Sequence, residues 1–308
     1  MNRRKFIQTS SAILASSITM GHVPVLKNVS KLRLGGPLYK KFLSPEEWAQ
    51  IVKGYGYRAA YCPVGLNASR EDIRSYELAA KKHDILIAEV GAWSNPISPD
   101  SKTAAEAFEK CTRSLQLADE IGANCCVNIA GSKNMENWAG PHKDNFSDET
   151  FEQIIETTRR IIDEVQPTRT YFTLEAMPWV FPESPDSYLK LIKAIDRKGF
   201  GVHLDPVNMV VSPAIFFKNG EMIKECFKKL GPYIKSCHAK DLVLKENTYM
   251  PQFEEVIPGR GLMDYTDFLT ELRNYPEIPL MMEHLNNEEE YKEGTTYIQM
   301  VHQKIKDT

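Results

Sequence analysis

Two patterns of apolar and polar positions alternate along the chain. Short runs that are almost wholly apolar, typical of buried strands, are each followed by a longer segment with an apolar residue every three or four positions, typical of an amphipathic helix. The strands are predicted at residues 31–37, 57–62, 85–93, 124–130, 170–176, 200–205, 233–239 and 278–284. Eight strand–helix units in unbroken succession predict the α/β class and a single (β/α)8 barrel.

Capping residues mark several of the predicted helices. Ser44 precedes Pro45 and two glutamates, and Ser147 precedes Asp148 and Glu149, so both serines are predicted N-caps. Gly122 is predicted to end the long helix that begins near Thr103.

Four consecutive strands end in side chains that can bind a metal ion. They are Glu175, Asp205, His238 and Glu283, the ends of the fifth to eighth predicted strands. Because the carboxyl ends of barrel strands meet at one face, we expect the four side chains to converge there. Three carboxylates and one imidazole form a mostly oxygen site that suits Mn²⁺ or Mg²⁺ and also accepts Co²⁺, Fe²⁺ or Zn²⁺. Positions left open would let a substrate bind through adjacent oxygens.

Further polar side chains are candidates for substrate contacts at the same face. Lys240 lies two residues after His238 and therefore shares its side of the strand; a solvated lysine is the alternative. Glu89 interrupts an apolar strand, which predicts a buried, partnered carboxylate near the site. Asn128 ends the fourth strand, where a core hydrogen bond is the alternative to a substrate hydroxyl.

Two other candidates are expected to act less directly. His203 is predicted to lie one layer below Asp205 and to support the metal ligands rather than to bind the metal. Arg260 lies in the long connection 242–263, which is expected to act as a lid over the barrel face; a surface role for Arg260 is the alternative.

Three tryptophans follow successive strands at the predicted active face. Trp93, Trp138 and Trp179 come after the third, fourth and fifth strands. Aromatic faces pack against the C–H faces of sugar rings, so the three predict an apolar wall that holds a ring or glycoside. Core packing is the alternative for each.

Composition and charge limit the classes of binding partner that we expect. The chain has 308 residues, 42% of them apolar, with a net charge of −3 and a pI near 6.2. It can therefore bury a full core, and it gives no electrostatic reason to expect nucleic acid or an anionic membrane. Six cysteines without a Cys-x-x-Cys pair predict free thiols. Formation of a homo-oligomer is left open.

The N-terminal segment has a sequence pattern unlike the strand–helix pattern of the rest of the chain. Arg3 and Arg4 precede a short, weakly apolar run from Thr9 to Met20, which is similar to a twin-arginine export signal. Residues 1–25 are therefore assigned to the signal and residues 26–308 to the barrel, and a periplasmic location is expected. The apolar run is too short for stable membrane insertion. A basic leader without a targeting role is the alternative.

The site motifs resemble those of a known family. The motifs are Glu175, His203-Leu-Asp205-Pro-Val-Asn208, His238-Ala-Lys-Asp241, Pro258-Gly-Arg-Gly261 and Glu283. Spread over nearly the whole of residues 26–308, they are similar to those of the xylose isomerase-like TIM barrel superfamily of sugar isomerases and epimerases. The resemblance implies one divalent metal bound by Glu175, Asp205, His238 and Glu283. It also implies that Glu175 and Glu283 act as acid and base on an unphosphorylated sugar or keto-sugar, through an enediolate.

Two positions depart from the ketose 3-epimerases of that superfamily. Asn208 stands where they have a histidine, and Lys240 stands in a region where they have an arginine. Both are retained as candidate substrate contacts, and the departures argue against ketose 3-epimerase activity. A lyase or dehydratase acting on an inosose or oxidised glycoside is the alternative enzyme. A sugar-binding barrel without catalysis is the alternative of another class.

Overall fold

Eight parallel strands form a nearly closed barrel in the computed structural model, which describes residues 32–306. The predicted export signal, residues 1–25, lies outside the described residues. The barrel strands are β1 (Arg33–Gly35), β2 (Ala59–Tyr61), β3 (Leu86–Gly91), β4 (Cys125–Asn128), β5 (Phe172–Glu175), β6 (Phe200–Leu204), β7 (Ile234–Ala239) and β10 (Pro279–Met282). They pair in the order β1-β10-β7-β6-β5-β4-β3-β2. Between β1 and β2, the amide of Arg58 donates to the carbonyl of Leu34 (2.9 Å). The predicted (β/α)8 barrel is confirmed.

Helices cover the outside of the barrel between successive strands. They are α1 (Pro45–Gly54), α2 (Arg70–Lys82), α3 (Ser101–Ile121), α4 (Asp148–Val165), α5 (Pro185–Ile195), α6 (Pro213–Phe216), α7 (Asn219–Leu230), α8 (Tyr265–Leu272) and α9 (Glu288–Lys306). The predicted caps are present: Ser44 accepts from the amide of Glu47, and Ser147 accepts from that of Thr150. Gly122 follows α3 with a φ of +73°, a conformation that favours glycine.

Side chains on the barrel strands alternate between two environments. Leu174, Leu204, Cys237 and Met282 belong to the main core between strands and helices. Met281 instead belongs to a small cluster with Ala59 and Ala88. Because of this alternation, every second side chain points into the barrel.

All six cysteines are free thiols, as the sequence predicts. Among residues 32–306, no helix is long and apolar enough to cross a membrane.

The long connection after β7, for which the sequence predicts a lid, has secondary structure of its own. It contains an antiparallel hairpin formed by β8 (Asp241–Leu244) and β9 (Phe253–Val256). The Asp241 carboxylate fixes the segment that follows, because it accepts from the amides of Gly259, Gly261 and Met263 (2.9, 3.0 and 2.9 Å). A Cβ atom on Gly261 would lie 2.2 Å from Oδ1 of Asp241, so only glycine allows this approach.

Candidate active site

The four predicted ligands converge at the carboxyl ends of β5, β6, β7 and β10. Glu175 ends β5, Asp205 follows β6, His238 lies near the end of β7, and Glu283 follows β10. Each offers one nitrogen or oxygen atom, and these atoms all lie within 4.8 Å of one another. The neighbouring strand ends therefore bring together side chains that are up to 108 residues apart in sequence.

His238 lies at the centre of this group and is fully buried. Its Nδ1 is 2.9 Å from Oε1 of Glu283, 3.1 Å from Oε1 of Glu175 and 3.6 Å from Oδ2 of Asp205. Its Nε2 faces the barrel interior, 3.4 Å from Oε2 of Glu89. One nitrogen thus faces the three carboxylates, and the other faces a fourth.

Lys240 brings a buried cation to the same group. Its Nζ lies 2.8 Å from Oδ2 of Asp205, 2.6 Å from Oε1 of Glu283 and 3.8 Å from Oε1 of Glu175. Oε1 of Glu255, on β9, lies 3.7 Å away. Lys240 is only 5% exposed. It therefore shares the face with His238, as predicted, and is not the solvated lysine of the alternative.

The acids differ in how this environment changes their pKa values. Burial raises the pKa of Glu175. Burial also opposes ionisation of Glu283, but His238 and Lys240 outweigh it and lower the pKa of Glu283 to about 2. Burial is likewise outweighed at Asp205, where Lys240 and His238 hold the pKa well below its usual range. Conversely, burial would lower the pKa of Lys240, but the surrounding acids raise it well above its usual range.

Two observations indicate that these donor atoms suit a divalent cation. Oδ2 of Asp205 and Oε1 of Glu283 are buried and accept no well-aligned hydrogen bond, although Lys240 lies within ion-pair distance of both. Three carboxylates and one imidazole nitrogen also match the ligands that Mg²⁺ and Mn²⁺ take. Glu175, Asp205, His238 and Glu283 would hold such an ion.

A second polar group lies one layer below. Glu89 is 2% exposed, and its Oε1 lies 2.9 Å from Nε2 of His203 and accepts from the hydroxyl of Ser236. His203 therefore lies in the layer below the four candidate ligands, where the sequence predicts it. Glu89 is buried and partnered, as predicted, but it does not line the cavity above the site; it lies within β3, two residues before the strand ends at Gly91.

Two other candidates lie away from the cavity. Asn128 is fully buried; its Oδ1 accepts from the amide of Ser94 (3.0 Å), and its Nδ2 donates to the carbonyl of Ser94 (3.1 Å). These bonds tie β4 to the loop after β3, so Asn128 follows its core alternative. Arg260 forms a two-pronged ion pair with Glu293 on α9 (both contacts 2.7 Å), so it too follows its surface alternative.

A cavity of about 1180 Å³ opens above the site. Its lining includes Glu175, Asn208, Lys240 and Glu283, and all three tryptophans of the predicted wall: Trp93, Trp138 and Trp179. Asn208 contacts the acids directly, since its Nδ2 donates to Oε1 of Glu175 (3.1 Å). Trp93 and Trp138 are 38% and 41% exposed, so core packing does not account for these two side chains.

Sequence reasoning missed several lining residues. They are Tyr61, Met177, Phe253, Glu255 and His284. Tyr61 and His284 carried a usable signal, because Tyr61 ends the second strand and His284 directly follows Glu283. Glu255 carried none, since its place depends on the hairpin; its Oε2 lies 2.9 Å from Nδ1 of His284.

Comparisons with known proteins point to one family. The model of a family described as xylose isomerase-like TIM barrel matches residues 49–300. No curated protein sequence matches the chain.

Solved structures with the same fold share little sequence with this chain. A xylose isomerase-like TIM barrel protein from Mycobacterium smegmatis in complex with magnesium has 17% identity and a TM-score of 0.62, covering 85% of this chain and 90% of its own. The probable 3-DHS dehydratase AsbF from Bacillus anthracis has 15% identity and a TM-score of 0.64, with 88% and 98% covered. The 3-keto-D-glucoside 4-epimerase YcjR from E. coli has 12% identity and a TM-score of 0.62, with 87% and 99% covered. At these identities the similarity shows the fold.

Proposed function

This chain belongs to the xylose isomerase-like TIM barrel family, and from that membership we propose that it is a divalent-metal-dependent isomerase or epimerase of an unphosphorylated sugar or keto-sugar. The observation that carries the proposal is the position of Glu175 and Glu283. Their carboxylates lie 3.1 and 2.9 Å from Nδ1 of His238, at the floor of the cavity. Two carboxylates there can reach the same substrate carbon or its neighbour.

The reaction requires removal of a proton from a carbon beside a carbonyl group. A bound divalent ion would polarise that carbonyl and its neighbouring hydroxyl, which makes the proton more acidic. One of Glu175 and Glu283 then takes the proton, and the other returns one. Return to the opposite face of the same carbon inverts that centre, whereas return to the neighbouring carbon gives an isomer. In this proposal the Lys240 ammonium donates to an oxygen that gains negative charge, and its distance of 2.6 Å from Oε1 of Glu283 supports that role.

The cavity lining supports a sugar without a phosphate group. Among the residues that line it, the basic side chains are Lys240 and His284, and both already face carboxylates. Trp93, Trp138 and Trp179 offer flat apolar faces to a sugar ring or glycoside. In this proposal Asn208 binds a substrate hydroxyl group beside Glu175, and its hydrogen bond to Glu175 supports that position. Mg²⁺ or Mn²⁺ is the metal we propose.

A lyase or dehydratase is the second candidate, because it starts with the same proton removal. The fold shared with the 3-DHS dehydratase is compatible with it. Loss of water or of an aglycone, in place of proton return, would distinguish the two reactions. A sugar-binding barrel is the third candidate, and both glutamates argue against it.

The Arg3-Arg4 segment supports export to the periplasm as part of the proposal.

Solvent exchange tests the proposal. The protein, supplied with Mg²⁺ or Mn²⁺, is incubated in D₂O with a panel of ketoses, aldoses, inososes and 3-keto-glucosides, and the recovered compounds are examined by NMR. We expect deuterium at a carbon beside a carbonyl, with exchange reduced roughly 10²–10⁴-fold in Glu175→Gln and in Glu283→Gln. Glu246→Gln, on the exposed hairpin, is the matched control. Binding without exchange in any compound would instead identify a sugar-binding barrel.

A further inference from the structure

A second cavity lies at the amino-terminal ends of the strands, away from the site described above. Its volume is about 420 Å³, which is in the range of small-molecule sites. It is bordered by the start of β1, the segment that leads into β10, and the carboxyl-terminal parts of α8 and α9. Leu269, Leu272 and Ile278 give it an apolar wall.

The titratable side chains other than Tyr275 that line this cavity are all basic. Four of its lining residues are basic and none is acidic; the four are Arg33, Arg273, His302 and Lys306. Arg33 is balanced from outside the cavity by Asp84 (2.6 Å) and Glu277 (3.8 Å).

The other three basic residues have no such balance. Within residues 32–306, no carboxylate oxygen lies within ion-pair distance of Arg273, His302 or Lys306. Arg273 donates from Nη1 to the carbonyl of Ile305 (3.0 Å) and so covers part of the carbonyl end of α9, which would otherwise repel an anion.

His302 is the most informative member of the group. It is only 5% exposed, and neither of its ring nitrogens has a hydrogen-bond partner among the described residues. A buried imidazole carries at least one N–H group, and an unsatisfied buried donor costs about 1–3 kcal/mol. Burial, together with Lys306 and Arg273, lowers the pKa of His302. An acceptor with negative charge would satisfy the ring and the two cations together.

We propose that this cavity binds a small organic anion, with a carboxylate or phosphate head on Arg273, His302 and Lys306 and an apolar body against Leu269, Leu272 and Ile278. The head must be anionic, because within residues 32–306 two cations without a carboxylate partner and an imidazole without a hydrogen-bond partner face it. The body must be apolar, because Leu269, Leu272 and Ile278 present hydrocarbon to it. This proposal is independent of the reaction at the carboxyl ends of the strands.

Calorimetric titration of the full chain with octanoate tests the proposal, and octyl phosphate, 1-octanol and inorganic phosphate are the comparison probes. We expect saturable binding of octanoate or octyl phosphate, and the tighter of the two identifies the head group. Binding of 1-octanol and of inorganic phosphate should be at least tenfold weaker. Arg273→Met and His302→Phe should each weaken binding of the preferred probe at least tenfold. Lys292→Met, on the exposed side of α9, should leave it unchanged.

Arg273→Lys separates loss of charge from loss of fold. It keeps the cation and should retain more binding than Arg273→Met, with an unchanged circular dichroism spectrum and melting temperature in both. The proposal is overturned if neither amphipathic anion binds, if 1-octanol binds as tightly as the anions, or if His302→Phe and a folded Arg273→Met leave their affinity unchanged. The first result would indicate that water or another part of the chain satisfies His302, and the others an unselective apolar crevice.

Discussion

Nε2 of His238 lies 3.4 Å from Oε2 of Glu89, so the ring nitrogen that faces away from the three candidate metal ligands faces a fourth, buried carboxylate. A carboxylate on the far nitrogen of a metal-binding histidine fixes the orientation of the ring and makes it a better ligand. Glu89 is itself held by His203 and Ser236. The layer below the site therefore positions Nδ1 of His238 toward Glu175, Asp205 and Glu283.

Glu89→Gln should weaken metal binding while it leaves the four ligands in place. Glutamine keeps the size of the side chain but removes the charge that faces His238, and loss of such a supporting partner typically costs 10–100-fold in affinity. Competition titration with a chelating dye measures the change for Mn²⁺. Glu109→Gln, on the exposed side of α3, should bind Mn²⁺ as the unmodified protein does. Equal affinity in all three proteins would show that Glu89 does not act through His238.

Lys240→Met should make the metal-free protein less stable and the metal-bound protein comparatively more stable. Removal of one partner of a buried ion pair costs about 3–5 kcal/mol, because carboxylates are left without a counter-charge. A divalent ion would restore that charge, and it would no longer be repelled by the Lys240 ammonium. Thermal unfolding with and without Mn²⁺ should show a larger metal-induced rise in melting temperature for Lys240→Met than for the unmodified protein. A smaller rise would mean that Lys240 assists metal binding.

Replacement of the exposed tryptophans tests the apolar wall. A ring–aromatic contact contributes about 0.5–1.5 kcal/mol beyond area burial, so Trp93→Ala and Trp138→Ala should each weaken binding of a cyclic substrate about two- to tenfold. The fold should be unchanged, because both side chains are more than one-third exposed. Steady-state KM with any substrate found by the exchange screen gives the measurement. Tyr249→Ala, at the exposed hairpin tip outside the cavity, is the control. An unchanged KM in both tryptophan variants would contradict the proposal that they form a substrate-binding wall.

His302 should make the protein less stable in mild acid. Its pKa is lowered in the folded state, chiefly by burial, so the unfolded chain binds a proton more readily at this position. This residue's contribution to stability is therefore present above the unfolded pKa of about 6.5, and it is lost as the pH falls from there through the lower pKa of the folded state. Urea unfolding at pH 7.5 and pH 5.5 should show a smaller loss of stability on acidification for His302→Phe than for the unmodified protein. An equal loss in both would mean that His302 accepts a proton as readily when folded.

Both the barrel fold and the convergence of the four candidate ligands at its carboxyl face can be predicted from the sequence, because both follow from the repeated strand–helix pattern. Strand and helix patterns alternate eight times, and the rule that strand ends share one face then places Glu175, Asp205, His238 and Glu283 together without knowledge of any contact. The position of Lys240 follows from the same two-residue strand period.

The depth of a side chain within the barrel, and its contacts with residues distant in sequence, cannot be predicted in this way. The pairing register of β3 with β4, rather than the composition of β3, decides that Glu89 lies a layer below the cavity. The hairpin depends on Asp241 binding amides about twenty residues later, and Arg260 pairs with Glu293 more than thirty residues away. Local sequence patterns carry no information about such contacts.

Metal content is the most direct test of the central claim that Glu175, Asp205, His238 and Glu283 hold a divalent ion. Plasma mass spectrometry is applied to the purified protein and to an Asp205→Ala/His238→Ala variant, each reconstituted with Mg²⁺ or Mn²⁺ and then dialysed. We predict about one ion per chain in the unmodified protein and none retained by the variant. An unmodified protein that retains no metal after reconstitution would contradict the claim, and with it the proton-transfer function.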